Sequence, residues 1–443
     1  MTTPSRTLPR FGQSKGSAPG RGSGTGSGDG IGAGHSARIS LGQVFTAESS
    51  NYFLLLGTTL FLVLLGLVMV LSSSSIDAYT SGQNFFSVFF KQGMFALLGV
   101  PLMLVISRLP ISFMKRWAWV GIFVAVGIQF LVFTPLGVSV GGNLNWITVA
   151  GFSFQPSELV KLALVVWTGA ILAKKEPLLG KFGHVVIPIL PVAGGAISIV
   201  LLGGDLGTVM IMAGLVFGAL FFAGIKLRMF IIPLLGFAVL ALIKAFSSTS
   251  RSTRVMSFLN GGSGDYQGLD WQAQHGQWAL AGGGVFGVGL GNSRAKWSWL
   301  PAADNDYIFA IIGEELGLVG AIVVLLLFIA LAVSFVRIIR SSHDIFSKVV
   351  TGSVMVWLIG QAFVNIAVVL GLLPVLGVPL PLISSGGSAL VTTLAAIGVV
   401  LAVARHNALE SAQREPEAVV GGDAPDARAG SALRARLSRI GRR

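Results

Sequence analysis

Cysteine is absent from the 443 residues, which excludes a disulfide framework, a thiolate metal site and a cysteine nucleophile together. Histidine is scarce at five, with no His-x-x-x-His pair, so the helical signature of a zinc hydrolase is missing too. Charge is the third shortage. Asp, Glu, Lys and Arg make up 11% of the chain, where a soluble domain carries roughly 25%, and much of that share lies in the two ends. The middle of the chain cannot coat itself for water, which rules out an ordinary soluble enzyme and leaves an integral membrane protein. Acidic residues number 18 against 31 Lys and Arg, for a net charge of +13. Such an excess can signal nucleic-acid binding, but its placement along the chain follows membrane topology and argues against a nucleic-acid partner.

What the chain has in quantity is long apolar runs. A bilayer core takes about 20 apolar residues per helix. Runs that meet or approach this lie near 52–72, 86–106, 117–134, 158–173, 184–202, 206–223, 229–246, 306–336, 348–372 and 382–404. The expected fold is an all-α integral membrane protein of ten transmembrane helices, the eighth long enough to tilt or to project beyond the bilayer. Residues 51–406 form this domain. Residues 1–50, basic and rich in Gly and Ser, contain no apolar segment of the kind a signal peptide needs and read as a disordered tail, as do 407–443.

Orientation follows from the basic residues. The short loops on the side of the tails carry Arg108, Lys115 and Arg116; Lys174, Lys175 and Lys181; Lys226 and Arg228; and Arg337, Arg340 and Lys348. The opposite side has Arg251, Arg254, Arg294 and Lys296, all in one long loop at about 247–305. The positive-inside rule therefore puts both termini in the cytoplasm of a multi-pass protein of the cytoplasmic membrane. The long outer loop holds Trp271, Trp278, Trp297 and Trp299, which suit packing or a membrane interface better than a floppy insertion, and loops of this length usually carry function.

Acidic residues at the outer membrane edge supply the candidate chemistry. Glu158 and Lys161 share one face of a first helical turn after Pro156-Ser157, either as a self-neutralising pair or as a site where Lys161 meets an anionic substrate group. Asp205 opens a helix in Gly-Gly-Asp-Leu-Gly-Thr, where an N-cap is the plain alternative. Asp306 opens the eighth span directly after the long loop, with Glu314 eight residues on and therefore about 12 Å further along a helix. Glu314 and Glu315 point in different directions, and one or both must face the bundle interior. The Gly282-x-Gly284-x-x-Gly287 run lacks the βαβ setting of a nucleotide fingerprint and suits close backbone approach or a turn. Ser384-Ser385-Gly386-Gly387-Ser388, opening the tenth span, fits tight helix packing as well as a ligand.

These stretches carry a resemblance. Pro156-Ser157-Glu158-Leu-Val-Lys161, Asp205-Leu-Gly-Thr208, Arg254-x-x-x-Phe258-Leu-Asn260, Gly287-Val-Gly-Leu-Gly291, Leu300-Pro301 through Asp306-Tyr-Ile-Phe309, Gly313-Glu-Glu-Leu-Gly317 and Asn365-x5-Gly-Leu-Leu-Pro374 running on to Ser388 are similar to the SEDS family of cell-wall polymerases. The match spans about 52–406. Lys296-Trp297 and Met69-Val-Leu-Ser-Ser resemble the division branch of that family more than the elongation branch. The chain departs from the family pattern at Ala302-Ala303-Asp304-Asn305, at Gly203-Gly204 and at Gly261, with Asp306 still in register.

The resemblance implies a ten-helix peptidoglycan glycosyltransferase that polymerises lipid II by β-1,4 transglycosylation at the outer face of the membrane. It also implies a class B penicillin-binding protein and other division proteins as partners, at the septum. Such chemistry needs a base for the acceptor hydroxyl, which the resemblance assigns to Asp306. It also needs positive charge for the pyrophosphate leaving group, for which Lys161, Arg251, Arg254, Arg294 and Lys296 are available. Glu158, Asp205 and Glu314 complete the expected substrate-binding set. A divalent cation, magnesium or manganese, would share the pyrophosphate; no residue pattern calls for a metal site by itself. A lipid flippase with alternating access, an elongation-type polymerase and a non-catalytic scaffold are the other readings of the same residues.

Overall fold

The computed structural model describes residues 49–422, apart from 81, 83, 150, 248, 260–270 and 298–299. The expected tails lie outside the described residues up to 48 and from 423 on, as do Trp299, Asn260 and Gly261; the side chain of Arg251 is likewise not described. Each expected apolar run folds as a helix: α1 (Ser50–Thr80), α2 (Ser87–Ser107), α3 (Ile111–Phe130), α4 (Pro156–Lys174), α5 (Phe182–Leu202), α6 (Leu206–Phe222) and α7 (Leu227–Phe246). Two more helices, α8 (Thr249–Leu259) and α9 (Trp271–Gly283), precede α10 (Ile308–Ser341), α11 (Ile345–Val369) and α12 (Gly387–Gly422).

Among the described residues eight helices are long and apolar enough to cross a membrane, and Leu206–Phe222 and Ile231–Lys244 are shorter apolar helices. At 17 residues, α6 rises about 26 Å, a little less than a typical hydrocarbon core. Helices at the centre and at the rim differ in what they bury. In α12 83% of the apolar window is buried inside the protein, against 22% in α2, so α12 is a core helix and α2 shows most of its apolar surface to lipid. Around α12 pack α2, α11, α4 and α1, while α11 also packs on α6, α10 and α4.

Four features depart from the sequence expectation. The fold is not helical throughout: residues of the outer segment 135–156 form a small antiparallel sheet of β1 (Gly137–Val140), β2 (Asn143–Val149) and β3 (Phe152–Phe154), in that order. Gly141 and Gly142, both at positive φ, make the two-residue turn between β1 and β2, a conformation that only glycine and a few polar residues adopt readily. The outer segment 247–305 is partly helical, in α8 and α9.

The eighth span is broken. Gly317 has φ 67 and ψ −165, so α10 is two helices joined at a kink, and a helical projection from Asp306 through the span does not apply beyond it. Main-chain groups exposed by the break are satisfied by the outer segment. Val288 and Gly289 N–H donate to the Glu314 and Glu315 carbonyls at 2.9 and 3.0 Å, and Leu318 and Val319 N–H donate to the Gly284 and Val285 carbonyls at 2.9 and 3.2 Å. This pairing is what makes an interrupted helix tolerable in a membrane. It also realises the close approach expected of the glycine run, because a Cβ on Gly287 or Gly317 would come within 2.3 Å of main-chain atoms of the other segment.

The last helix runs past the end expected for the membrane domain at 406. α12 continues through Gly422, and Asn407 is buried, donating to the Ser342 and Ser341 hydroxyls at 2.9 and 3.3 Å. Lys115, in the second turn of α3, pairs with Asp344, the N-cap of α11, at 3.3 Å, which brings together two of the segments expected on one side.

Candidate active site

A polar cavity of about 280 Å³ opens where the β1–β2 hairpin, the starts of α4 and α6, α8, α9, α11 and the turns at 375–379 and 385–389 converge. Three carboxylates line it: Glu158, Asp205 and Asp306. A larger, almost wholly apolar cavity of about 550 Å³ between α5, α6 and α7 is lined by no ionisable side chain and offers no acid–base chemistry.

Glu158 lies in the first turn of α4, where Pro156 starts the helix. It meets Lys161 at 2.8 Å with both side chains buried, as the i,i+3 spacing requires. The Lys161 ammonium also donates to Gln361 Oε1 at 3.3 Å and sits 4.7 Å from the centre of the Trp357 ring. Gln361 is fixed in turn by Trp357 Nε1 and by its own bond to the Pro379 carbonyl. Sequence reasoning centred on charges and missed Gln361. The available signal was an amide within an apolar span, which is costly in lipid unless it has partners.

Asp205 is the N-cap of α6, accepting from Thr208 N at 2.9 Å, so the plain reading of that residue holds. Its second oxygen accepts from Thr208 Oγ1, Asn145 Nδ2 and Gln155 Nε2 at 2.9, 2.9 and 3.0 Å. Asp205 thus ties the sheet and the approach to α4 to the start of α6. Asn145 and Gln155 are two further site residues the sequence did not single out.

Asp306 is not an N-cap: Tyr307 occupies that position before α10 and makes no side-chain cap. The main chain around Asp306 is held firmly. Asn365 donates to its carbonyl at 2.7 Å, Ser384 Oγ donates to the Asn305 carbonyl at 2.7 Å, and Ser385 N–H to the Asp304 carbonyl at 2.8 Å. Ala302 and Leu382, the described non-glycine residues at positive φ, lie in the two turns that meet here, a strain that persists only where the surroundings impose it. The carboxylate itself is half-buried and accepts no hydrogen bond from a described residue. Burial, chiefly, pushes its pKa up to about 6, with the Asp304 and Asp205 charges adding to the rise and the Arg254 guanidinium opposing it.

The family described as cell cycle protein FtsW/RodA/SpoVE matches residues 52–409. The chain belongs to that family. Among FtsW/RodA/SpoVE relatives, a probable peptidoglycan glycosyltransferase FtsW of Mycobacterium tuberculosis is 39% identical over 383 residues, 86% of this chain and 71% of that one. Stage V sporulation protein E of Bacillus subtilis is 35% identical over 367 residues, 82% of this chain and 99% of that one. Two solved structures share the fold. One is a chain from a study of how a peptidoglycan synthase complex coordinates polymerization and crosslinking, with TM-score 0.65, 24% identity and coverage of 80% and 97%. The other is the rod shape determining protein RodA of Thermus thermophilus, with TM-score 0.61, 23% identity and coverage of 82% and 99%.

Within this FtsW/RodA/SpoVE fold the expected substrate-binding residues divide. Glu158, Lys161, Asp205 and Arg254 line the cavity with Asp306. Arg294, Lys296 and Glu314, expected to bind substrate as well, are not among the residues that line it. Lys296 is buried and pairs with Glu315 at 3.1 Å, and Glu314 caps the turn at 293–295. Spacing alone cannot separate a lysine aimed at the cavity from one aimed at a carboxylate behind it. Arg251 belongs to α8, like Arg254, but its side chain lies outside the described residues.

Proposed function

We propose that the chain is a division-type peptidoglycan glycosyltransferase, in which Asp306 takes the proton from the acceptor hydroxyl of a lipid II-linked glycan as that oxygen attacks the anomeric carbon of the donor. The pyrophosphate leaves as the glycosidic bond forms. The observation that carries this reading is the division of labour among the cavity carboxylates. Glu158 is committed to Lys161 and Asp205 to four hydrogen bonds, whereas the Asp306 carboxylate accepts no hydrogen bond from any described residue. A base with a pKa of about 6 is largely ionised at neutral pH yet still basic enough to take a proton. Lys161 and Arg254, which line the same cavity, supply positive charge for the leaving pyrophosphate.

Magnesium or manganese at the pyrophosphate belongs to this proposal only as an ion carried by the substrate. Among the described residues no three His, Asp or Glu gather to hold a metal, and Asp205 is saturated by its own partners. Magnesium does bind through one or two carboxylates together with substrate phosphates, so Asp306 and the pyrophosphate would be its donors. No step here is routed through it.

Ten spans with both termini in the cytoplasm, septal placement, other division proteins and a class B penicillin-binding protein that cross-links the new strand complete the proposal. The relatives named FtsW and the fold shared with a chain of a peptidoglycan synthase complex support it. Orientation has a separate test. A cysteine replacing exposed Ser139 should react with an impermeant thiol reagent on intact cells, and one replacing exposed Glu176 should not. Reversed labelling would invert the topology. For the activity, purified full-length protein is given labelled lipid II with and without a cognate transpeptidase. Glycan chains that Asp306→Asn cannot make support the reading; transbilayer movement of lipid II without polymer would favour a flippase instead.

A further inference from the structure

Glu314, Glu315 and Lys296 form a second buried ionic group that does not line the Asp306 cavity. Glu314 and Glu315 are adjacent on α10, three and two residues before the break at Gly317, and both point inward with 5% and 0% of their surface exposed. The Glu314 carboxylate accepts from Arg294 N–H at 2.9 Å, Ala295 N–H at 3.3 Å and the Ser293 hydroxyl. Successive main-chain N–H groups converging on one anion are a nest, here filled by the protein's own side chain. Glu315 accepts from Lys296 Nζ at 3.1 Å, from the Ser72 hydroxyl of α1 at 2.7 and 2.6 Å, and from Ser293 N–H at 3.4 Å. Lys296 Nζ completes its shell on the Gly291 and Ser72 carbonyls at 2.6 and 3.3 Å.

Lys296 is followed ten residues later by Asp306, and the described part of that segment consists of turns. A segment without a helix or strand takes its position from its anchors. One anchor is on the Asp306 side, through Asn365, Ser384 and Ser385. The other is the 293–296 turn, whose Ala295 carbonyl accepts from Leu300 N–H at 3.0 Å and so passes the register on to buried Leu300. The geometry points to Glu314 and Glu315 as positioning residues for Asp306: by clamping the 293–296 turn to the broken helix and to α1, they set where the Asp306 carboxylate stands, without touching substrate. This rests on the reading of Asp306 as the base.

The mechanism is one of small displacements. A catalytic group misplaced by about 1 Å by a change away from the chemistry can cost about 100-fold in rate. Losing either carboxylate frees main-chain N–H groups or leaves Lys296 buried without its partner, and the turn must rearrange to rehydrate them.

The test uses the full-length chain with its wild-type partner, measuring lipid II polymerisation over a range of lipid II concentrations. Glu314→Gln should lower kcat by about tenfold or more while KM stays within about threefold, because the substrate contacts are intact and the base is displaced. Glu314→Asp should restore part of kcat. Ser72→Ala removes one donor to Glu315 without stranding a charge and should lower kcat by a smaller factor, again at unchanged KM. A KM increase with kcat intact in Glu314→Gln would make Glu314 a substrate contact and overturn the inference, as would wild-type values of both constants. If Glu314→Gln does not fold, Glu314→Asp and Ser72→Ala decide, and wild-type kcat in both overturns it. Failure of the underlying reading looks different: wild type makes no polymer, or Asp306→Asn polymerises as fast as wild type.

Discussion

The Asp306 cavity and the Glu314–Glu315–Lys296 group contain the same kinds of residue, yet they spend them differently. In the second group each carboxylate is met by several donors, and Lys296 by a carboxylate and two carbonyls. In the cavity Glu158 and Asp205 are matched in the same way, and among the described residues Asp306 is not. A matched carboxylate holds structure, since its lone pairs are already committed to hydrogen bonds. An unmatched one, partly desolvated and near other acids, is available to accept a proton. What separates site from scaffold here is which carboxylate has been left unspent.

The largest effect that could break this comparison is at Asp306. Asp306→Asn should lower polymerisation by about 100- to 10,000-fold, the range for loss of a general base. The same variant should be more stable than wild type at pH 8. Folding raises the Asp306 pKa, so the folded state binds the proton more tightly and loses stability as pH rises from the ordinary carboxylate range through about 6. At pH 5, where the folded side chain is mostly protonated, the stability gain should shrink. Thermal unfolding at the two pH values checks the sign, and a less stable variant at pH 8 would place Asp306 with the matched carboxylates.

Lys161→Ala comes next. It strands Glu158 in a buried site, and breaking a buried pair typically costs about 3–5 kcal/mol. A lowered unfolding midpoint together with weakened lipid II use is expected, with Lys161→Arg recovering only part because a planar fork does not replace an ammonium over Trp357. Gly317→Ala tests the scaffold directly. Its positive φ and the Gly287 main chain at the position of a Cβ predict a loss of about 1–3 kcal/mol, read by denaturation. The smallest effect is a shift in a profile. Asp304 raises the Asp306 pKa by its charge, so Asp304→Asn should move the acidic limb of kcat to lower pH, leaving the plateau nearly unchanged.

Much of the membrane fold is legible in the amino acids because its signal is additive. A run of apolar residues bounded by polar ones is a helix whatever its neighbours, and the observed helix ends fall close to the runs. The Glu158–Lys161 pair and the Asp205 cap are also local, set by spacings of three residues. The break at Gly317 is not local. Its neighbours Glu314, Glu315, Leu316 and Leu318 are ordinary helix formers, and the conformation exists because residues 284–289 supply the missing main-chain partners. The stretch of α12 just past 406 follows the same logic: its composition is that of a tail, and Asn407 is fixed there by docking on Ser342.

By itself, the sequence determined a helical membrane protein and, through its motifs, the family to which the chain belongs. It also determined that no thiol chemistry is available. Only the tertiary structure decided which charged residues share a cavity. Lys161 and Lys296 are both buried, both near acids and both on the same side of the protein by their place in the chain, yet one lines the cavity and the other closes a clamp. The reason is physical. A side chain's role depends on the direction in which it finds its partner, and partners such as Gln361 and Ser72 lie 200 and 224 residues away, distances along the chain over which no spacing rule carries information.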